Sequence, residues 1–189
     1  NQIWISAIDG SNAKQLTTGD KNNTNPKWSP DNKSIAFTSS RDGKNNVYII
    51  PVAGGEAEKI TETKGGVSEF EWSSDGNKIA VIVADAATDK EERNKKSKND
   101  WYIWDTELKQ NRLQVYWIHH KDSSQKYMQK LLTKENIAVY AFDWNADGTS
   151  IVYSYGKSNK ANDNSYSDIA LINIETGVIK NIANTPAGE

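Results

Sequence analysis

The chain has 189 residues with 25 acidic and 23 basic side chains, and a formal charge of −2 at pH 7 gives no reason to expect a nucleic-acid or membrane-surface partner. It contains no cysteine, which excludes disulfides and thiolate metal sites, and its longest apolar run, residues 79–84, is too short to cross a bilayer. Only 36% of the residues are hydrophobic, but 7 Trp and 8 Tyr add large buried areas, so one sizeable core is expected.

The chain opens with two short predicted strands. Residues 2–8 alternate apolar and polar side chains, Asp9-Gly10-Ser11 is typical of a turn, and residues 13–17 predict a second strand. The same pair returns 44 residues later, as 47–52 and 57–61 around a turn at 53–55. We therefore interpret the first pair as the outer half of a repeating unit.

A second motif marks the start of each complete unit. Residues 28–37 contain Trp, two spacer residues, Asp, a turn residue and an alternating apolar run, and the pattern returns at 72–81 and 144–153. The Asp-Asn and Asp-Gly pairs predict tight turns, and the alternation after them predicts strands with one buried face. A period of about 40 to 45 residues is typical of β-propeller blades.

These repeats predict an all-β fold, a partial β-propeller of about three and a half four-stranded blades. The whole chain, 1–189, is then one incomplete propeller domain. Its units are a half blade at 1–24, a blade at 25–64, a blade with an insertion at 65–134 and a blade at 135–184.

The insertion interrupts the second full blade after its second strand. Residues 86–100 carry mixed charges without apolar periodicity, which predicts a solvated helix or a mobile loop, and an aromatic cluster follows. Functional residues concentrate in loops that interrupt a regular scaffold. The insertion therefore supplies the candidate substrate contacts, which are Trp101, Trp104, Asp105, Glu91 and Glu92. Their carboxylates can pair with the ammonium terminus of a peptide; the alternative is an aromatic satellite core with solvated acids.

The motifs resemble those of two known groups. The run Trp-Ser-Pro-Asp at 28–31, with Ser-Ser-Arg-Asp-Gly at 39–43 and Gly-Gly-Glu at 54–56, resembles the WD40-like repeats of TolB and of prolyl-oligopeptidase propellers. The insertion, with Trp-Asp-Thr at 104–106 and Asn-Arg-Leu-Gln-Val at 111–115, resembles that of family S9 serine peptidases of the acylaminoacyl-peptidase and dipeptidyl-peptidase V branches.

The peptidase resemblance implies a propeller that caps a C-terminal α/β-hydrolase domain, filters substrates by size and helps to hold a short peptide. The chain starts at Asn1 without Met, so we expect it to be a piece of a longer protein whose catalytic domain would follow residue 189. The resemblance also favours a periplasmic or secreted location over a cytoplasmic one.

No catalytic residue, metal ligand or cofactor is expected in the chain itself. No serine lies in a Gly-x-Ser-x-Gly turn, and His119 and His120 are neighbours on a strand, whose side chains point to opposite faces. Asp31, Asp75 and Asp147 are expected to form turns rather than calcium sites. The motif tryptophans, Trp28, Trp72 and Trp144, are expected to pack between blades rather than to form a sugar-stacking platform.

Three functions remain open. The first is a non-catalytic, substrate-gating propeller of an S9-type serine exopeptidase or oligopeptidase, with the hydrolase domain and short peptides as partners. The second is a TolB-like scaffold for protein–protein interaction. The third, a propeller acting on sugars, would need paired carboxylates at the central channel, which the repeat is not expected to supply. Because propellers close with about 4 to 8 blades, the open ends also predict pairing with a second copy, pairing with a terminal strand, or marginal stability.

Overall fold

A computed structural model of the chain describes residues 1–98, 108–122, 126–133, 136–160, 163 and 167–183. In these ranges the strands are β1 (Trp4–Ile5), β2 (Lys14–Gln15), β3 (Asn23–Trp28), β4 (Ser34–Ser39), β5 (Asn46–Pro51), β6 (Glu58–Lys59), β7 (Val67–Trp72), β8 (Lys78–Ala84), β9 (Asn111–Lys121), β10 (Tyr127–Leu131), β11 (Ala138–Trp144), β12 (Ser150–Gly156), β13 (Asp168–Asn173) and β14 (Ile179–Ala183). The α-helix of the described residues is α1 (Asp89–Lys96), and no helix there has the length and apolar character needed to span a membrane.

The strands of the described residues form three four-stranded antiparallel sheets and one two-stranded sheet. Strands β3–β6 form the first blade, β7–β10 the second and β11–β14 the third, each in simple meander order, and β1–β2 form the half blade. The connection between β8 and β9 carries α1, which places the insertion in the second blade. The predicted all-β partial propeller is therefore confirmed.

Each blade buries its apolar side chains against its neighbours. Three clusters of buried side chains follow one another along the chain, and each joins two consecutive sheets. The cluster between the half blade and the first blade includes Ile3, Phe37 and Tyr48; the next includes Ala36, Phe70 and Val81; and the cluster between the second and third blades includes Leu113, Ile151 and Ile172. The core therefore lies between the sheets, as alternation within each strand requires.

The Asp of each motif forms a turn between the first two strands of its blade. In the first blade, the Ser29 hydroxyl donates to Asp31 over 2.6 Å, and Asp31 also accepts the Lys33 backbone N–H over 3.0 Å. In the second blade, Ser73 and Asp75 repeat the first bond over 2.5 Å. These carboxylates are occupied by turn hydrogen bonds, which agrees with the role predicted from the sequence.

The third blade makes the same turn with a different residue. Asn145 stands where the other copies have serine, and its side-chain oxygen accepts the backbone N–H of Ser150 over 2.9 Å. Ser29 and Ser73 accept the equivalent N–H groups in their blades, each over 3.0 Å. The substitution therefore keeps the acceptor on which the turn depends.

The tryptophans link the first strands of successive blades. The Trp72 indole N–H donates to the Lys27 carbonyl, and the Trp144 indole N–H donates to the Glu71 carbonyl, each over 3.3 Å. Packing between blades is thus confirmed for these two. The prediction is wrong for Trp28, which is 51% exposed. The half blade before it has only two described strands, so Trp28 has no preceding first strand to pack against.

The second blade ends in a long strand pair. Strand β9 continues to Lys121, and β10 (Tyr127–Leu131) is the last strand of the blade. The register shifts between Tyr127 and Met128, so a bulge accommodates the extra β9 residues. A bulge of this kind is defined by backbone pairing between two strands, so the polarity of the side chains along the sequence does not reveal it.

Candidate functional site

The insertion lies at one end of the molecule, which we call the insertion face. This face carries the described parts of the connections between the second and third strands of the blades, residues 40–45, 85–98, 108–110 and 157–160. The opposite end, the turn face, carries the Asp turns at 29–33, 73–77 and 145–149. The two faces are opposite because each strand of a meander reverses the direction of the one before it.

A buried arginine fixes the base of the insertion. Arg112 is 8% exposed and donates to both carboxylate oxygens of Asp85, over 2.9 and 2.7 Å. It also donates to the Ile137 carbonyl, just before the third blade, over 2.8 Å. Hydrogen bonding to Arg112 lowers the pKa of Asp85. Both ends of the insertion are thus joined to each other and to the third blade.

Helix α1 begins with a capping box. The Glu91 backbone N–H donates to the Thr88 hydroxyl over 3.3 Å, and the Thr88 backbone N–H donates to the Glu91 carboxylate over 2.5 Å. Acidic residues occupy its first turn, basic residues its last turn, and none of its residues is buried. Of the two structures predicted for this segment, the solvated helix is the one observed.

The return segment of the insertion holds Glu91 in place. The Lys109 ammonium donates to the Glu91 carboxylate over 2.5 Å, and this bond, followed by the Thr88 backbone N–H, lowers the pKa of Glu91 to about 2. Glu91 is therefore a carboxylate that already binds one ammonium group. Glu92 is exposed in the same first turn.

The return segment also contacts the loop of the third blade. The Asn159 backbone N–H donates to the Gln110 side chain over 2.8 Å, and the Asn159 amide donates to the Lys109 carbonyl over 2.6 Å. The Tyr140 hydroxyl donates to the Ser158 carbonyl over 2.7 Å and supports that loop. The insertion thus stands over the junction of the second and third blades.

The structure places the predicted contact residues in part. Glu91 and Glu92 lie together on α1, whereas Trp101, Trp104 and Asp105 lie outside the described residues. Sequence reasoning missed Lys109, Gln110 and Asn159, because the last two are 49 residues apart and share no local pattern. The peptide contacts stay a prediction.

The first strands of the blades carry charged residues directly before the motif Trp. Lys27, Glu71 and Asp143 occupy this position, and Lys27 forms an ion pair with Glu71 across the first and second blades. Equivalent positions of the second and third blades thus carry the carboxylates of Glu71 and Asp143. Both carboxylates are nevertheless engaged, since Asp143 accepts the Trp144 backbone N–H over 2.8 Å.

The remaining metal candidates do not converge. His119 and His120 are exposed near the end of β9, and the described residues contain no group of three His, Cys, Asp or Glu side chains suited to a metal ion. Asp31, Asp75 and Asp147 belong to three separate turns.

Comparison with known families identifies the repeats. A model described as the tricorn protease N-terminal β-propeller domain matches residues 1–134. The chain belongs to this family. The matched residues span the half blade and the first two blades of this tricorn-type propeller. The insertion therefore lies inside the matched region.

The relatives of the tricorn-type propeller include a peptidase and TolB proteins. The chain is 37% identical over 103 residues to the uncharacterized peptidase YuxL of Bacillus subtilis, with 54% of this chain and 16% of that protein covered. It is 30% identical over 84 residues to the Tol-Pal system protein TolB of Alcanivorax borkumensis, with 44% of this chain and 19% of that protein covered. The chain thus spans less than a fifth of either relative, and the resemblance to peptidase propellers and TolB is confirmed.

A solved structure extends the likeness across nearly the whole chain. The acylaminoacyl peptidase of Pyrococcus horikoshii superimposes with a TM-score of 0.63 at 19% identity, covering 97% of this chain and 28% of that one. At this identity the similarity shows the fold alone.

Proposed function

We propose that this chain is the non-catalytic propeller part of an S9-type serine exopeptidase or oligopeptidase. In this role it restricts access by size and positions short peptides for a C-terminal α/β-hydrolase domain. The peptidase relative and the tricorn-type family support a propeller of this kind.

The docked insertion is the observation that carries the proposal. The first blade joins its second and third strands through residues 40–45, whereas the second blade uses residues 85–110. This long connection is held by the Arg112–Asp85 ion pair and by the Asn159 contacts. A loop fixed at an end of the propeller can narrow an entrance, whereas a scaffold that binds through regular blade faces needs no such break.

The proposal is tested on the product of the complete reading frame that contains this chain. We expect the region after residue 189 to include a Gly-x-Ser-x-Gly turn and the protein to hydrolyse aminoacyl and dipeptidyl aminomethylcoumarins. Trp104→Ala should lower kcat/KM for short peptides about fivefold and change the preference for peptide length, because a positioning contact contributes about 1 kcal/mol. Trp4→Ala, an exposed Trp of the half blade, is the matched control.

A second candidate is a TolB-like interaction scaffold, which the similarity to TolB favours. It predicts a reading frame that ends after further repeats and a product without hydrolase activity. Either result would overturn the peptidase proposal, as would a Trp104→Ala enzyme with unchanged kcat/KM across peptide lengths.

A further inference from the structure

A groove of about 450 Å³ opens on the turn face between the first and second blades. Apolar side chains form its walls, among them Ile49, Trp72 and Ile118. Most protein surfaces carry both acidic and basic side chains, but none of the described side chains that line this groove is Lys or Arg. The acidic side chains that line it are Asp31, Glu56, Glu58 and Asp75.

The next junction shows what occupies the corresponding place there. Between the second and third blades, the Lys130 ammonium donates to the carbonyls of Ile174 and Glu175, over 2.8 and 2.7 Å. A lysine of one blade thus binds backbone carbonyls at the turn of the following blade.

Strand pairing shows which residue replaces that lysine at the first junction. Lys130 pairs with Val115 in the second blade, and Glu58 pairs with Ile49 in the first. Lys130 precedes Thr133 by three residues, and Glu58 precedes Thr61 by the same number. Each of these buried threonines accepts a backbone N–H near the start of the third strand of its blade. Position 58 therefore corresponds to position 130, and a carboxylate stands where the other junction has an ammonium.

The same alignment identifies the acceptors. Asn173 pairs with Ser150 in the third blade, as Trp117 pairs with Lys78 in the second. By register, Ile118 and His119 correspond to the two residues whose carbonyls bind Lys130, and both line the groove, but they lie in β9, whereas Ile174 and Glu175 lie in the turn after β13. Asp31 and Asp75 are engaged in their own turns and by Lys33 and Lys78, so the other acidic lining residues are Glu56 and Glu58.

We propose that this groove binds a lysine side chain of an extended segment from a partner protein. The ammonium would take the place that Lys130 fills at the next junction, and the aliphatic stem would lie against Trp72 and Ile118. Acidic groups at the rim, such as Glu56, favour a cationic segment over a neutral or acidic one. The groove lies on the turn face, opposite the insertion, so this binding is separate from the proposed peptidase role.

The direct test titrates the ¹⁵N-labelled chain with the end-capped peptide acetyl-Ala-Leu-Lys-Leu-Ala-amide and follows amide shifts by NMR. We expect the largest shifts at Asn77, Ile118 and His119. The same peptide with Gln in place of Lys should bind about tenfold more weakly, since charge-assisted hydrogen bonds are lost, and the Glu peptide should not bind. Equal affinity for the Lys and Gln peptides, or shifts centred on another region, would overturn the proposal.

A variant tests the correspondence between the two junctions. Glu58→Lys places an ammonium where Lys130 lies in the next blade, and it should fill the groove and weaken binding of the Lys peptide by about tenfold or more. Asp20→Lys makes the same change of charge in the exposed loop between β2 and β3 and should leave the affinity unchanged. If both variants weaken binding equally, only the net charge matters and a specific lysine site is excluded.

Two charge-neutralising variants test the site without relying on Glu58→Lys to fold correctly. Glu56 is exposed and forms no hydrogen bond or ion pair with any described residue, so Glu56→Gln removes a rim charge without removing a contact. We expect binding about two- to fivefold weaker. Glu175→Gln lies in the corresponding turn of the third blade, outside the groove, and should have no effect. Loss of affinity in Glu175→Gln but not in Glu56→Gln would contradict the assignment.

Discussion

At the scale of single residues, buried threonines close three of the four sheets that the structure describes, those of the half blade and of the first and second blades. Each hydroxyl follows the last strand of a blade and accepts the backbone N–H at the start of the third strand. The bonds run from Ile3 to Thr17 over 2.9 Å, from Val47 to Thr61 over 2.9 Å and from Leu113 to Thr133 over 3.1 Å. The repetition indicates that the repeat uses this hydroxyl as the acceptor for a backbone N–H of the third strand.

Thr61→Val should destabilise the chain by about 1–3 kcal/mol. Thr61 is 0% exposed, and its hydroxyl also donates to the Asn46 side chain over 2.9 Å. Valine has a similar shape but leaves the Val47 N–H buried without this acceptor, which costs the desolvation of that group. The measurement is the free energy of unfolding in urea.

Two further variants separate the hydrogen bond from the change of residue type. Thr61→Ser keeps the hydroxyl and should lose less stability than Thr61→Val. Thr18→Val alters the exposed neighbour of Thr17 and should remain within about 0.5 kcal/mol of the parent chain. A Thr61→Val effect no larger than that of Thr18→Val would show that the bond contributes nothing.

At the scale of elements, the Arg112–Asp85 pair should make the stability of the insertion base depend on pH. Bonding to Arg112 lowers the folded pKa of Asp85, so the pair stabilises the fold above the unfolded pKa of about 3.9. This contribution is lost as the pH falls from there through the folded pKa. Asp85→Asn should therefore cost about 1–3 kcal/mol at pH 7, because the buried guanidinium loses its counter-charge.

Unfolding curves at several pH values test this prediction. The difference between the parent chain and Asp85→Asn should stay constant from about pH 7 to 5 and shrink below about pH 4. Asp20→Asn, at an exposed position, supplies the control for general charge effects. A difference that does not change with pH would assign the loss to packing instead.

The elements also show how far the sequence alone could lead. The Trp–Asp motif predicted the blades because turn chemistry and strand alternation are local, and Asn145 keeps the turn although the other copies have serine at that position. The docking of the insertion through Gln110 and Asn159 could not be predicted, since it depends on how two blades meet. Trp28 was misjudged for the same reason, because its burial depends on a neighbouring sheet and not on its own motif.

At the scale of the whole molecule, the outer sheet face of the third blade is uncovered within the described residues. In the second blade, the face toward the next blade carries Ile82 and Leu113, which are buried against the third blade. In the third blade, the corresponding face carries Leu171 and Ile169, and Ile169 is 39% exposed. An apolar sheet face of this kind is stabilised by another sheet.

We therefore expect this 189-residue chain to associate with a second copy through that face at micromolar concentrations. Ile169→Lys should weaken the association about tenfold or more, because a desolvated ammonium replaces a side chain whose burial contributes about 1.5–3 kcal/mol. Val178→Lys introduces the same charge at an exposed position in the turn between β13 and β14 and should leave the association unchanged. Sedimentation velocity across a hundredfold range of concentration measures both variants. A parent chain that stays monomeric throughout, with the stability of a closed domain, would show that the open blade needs no partner.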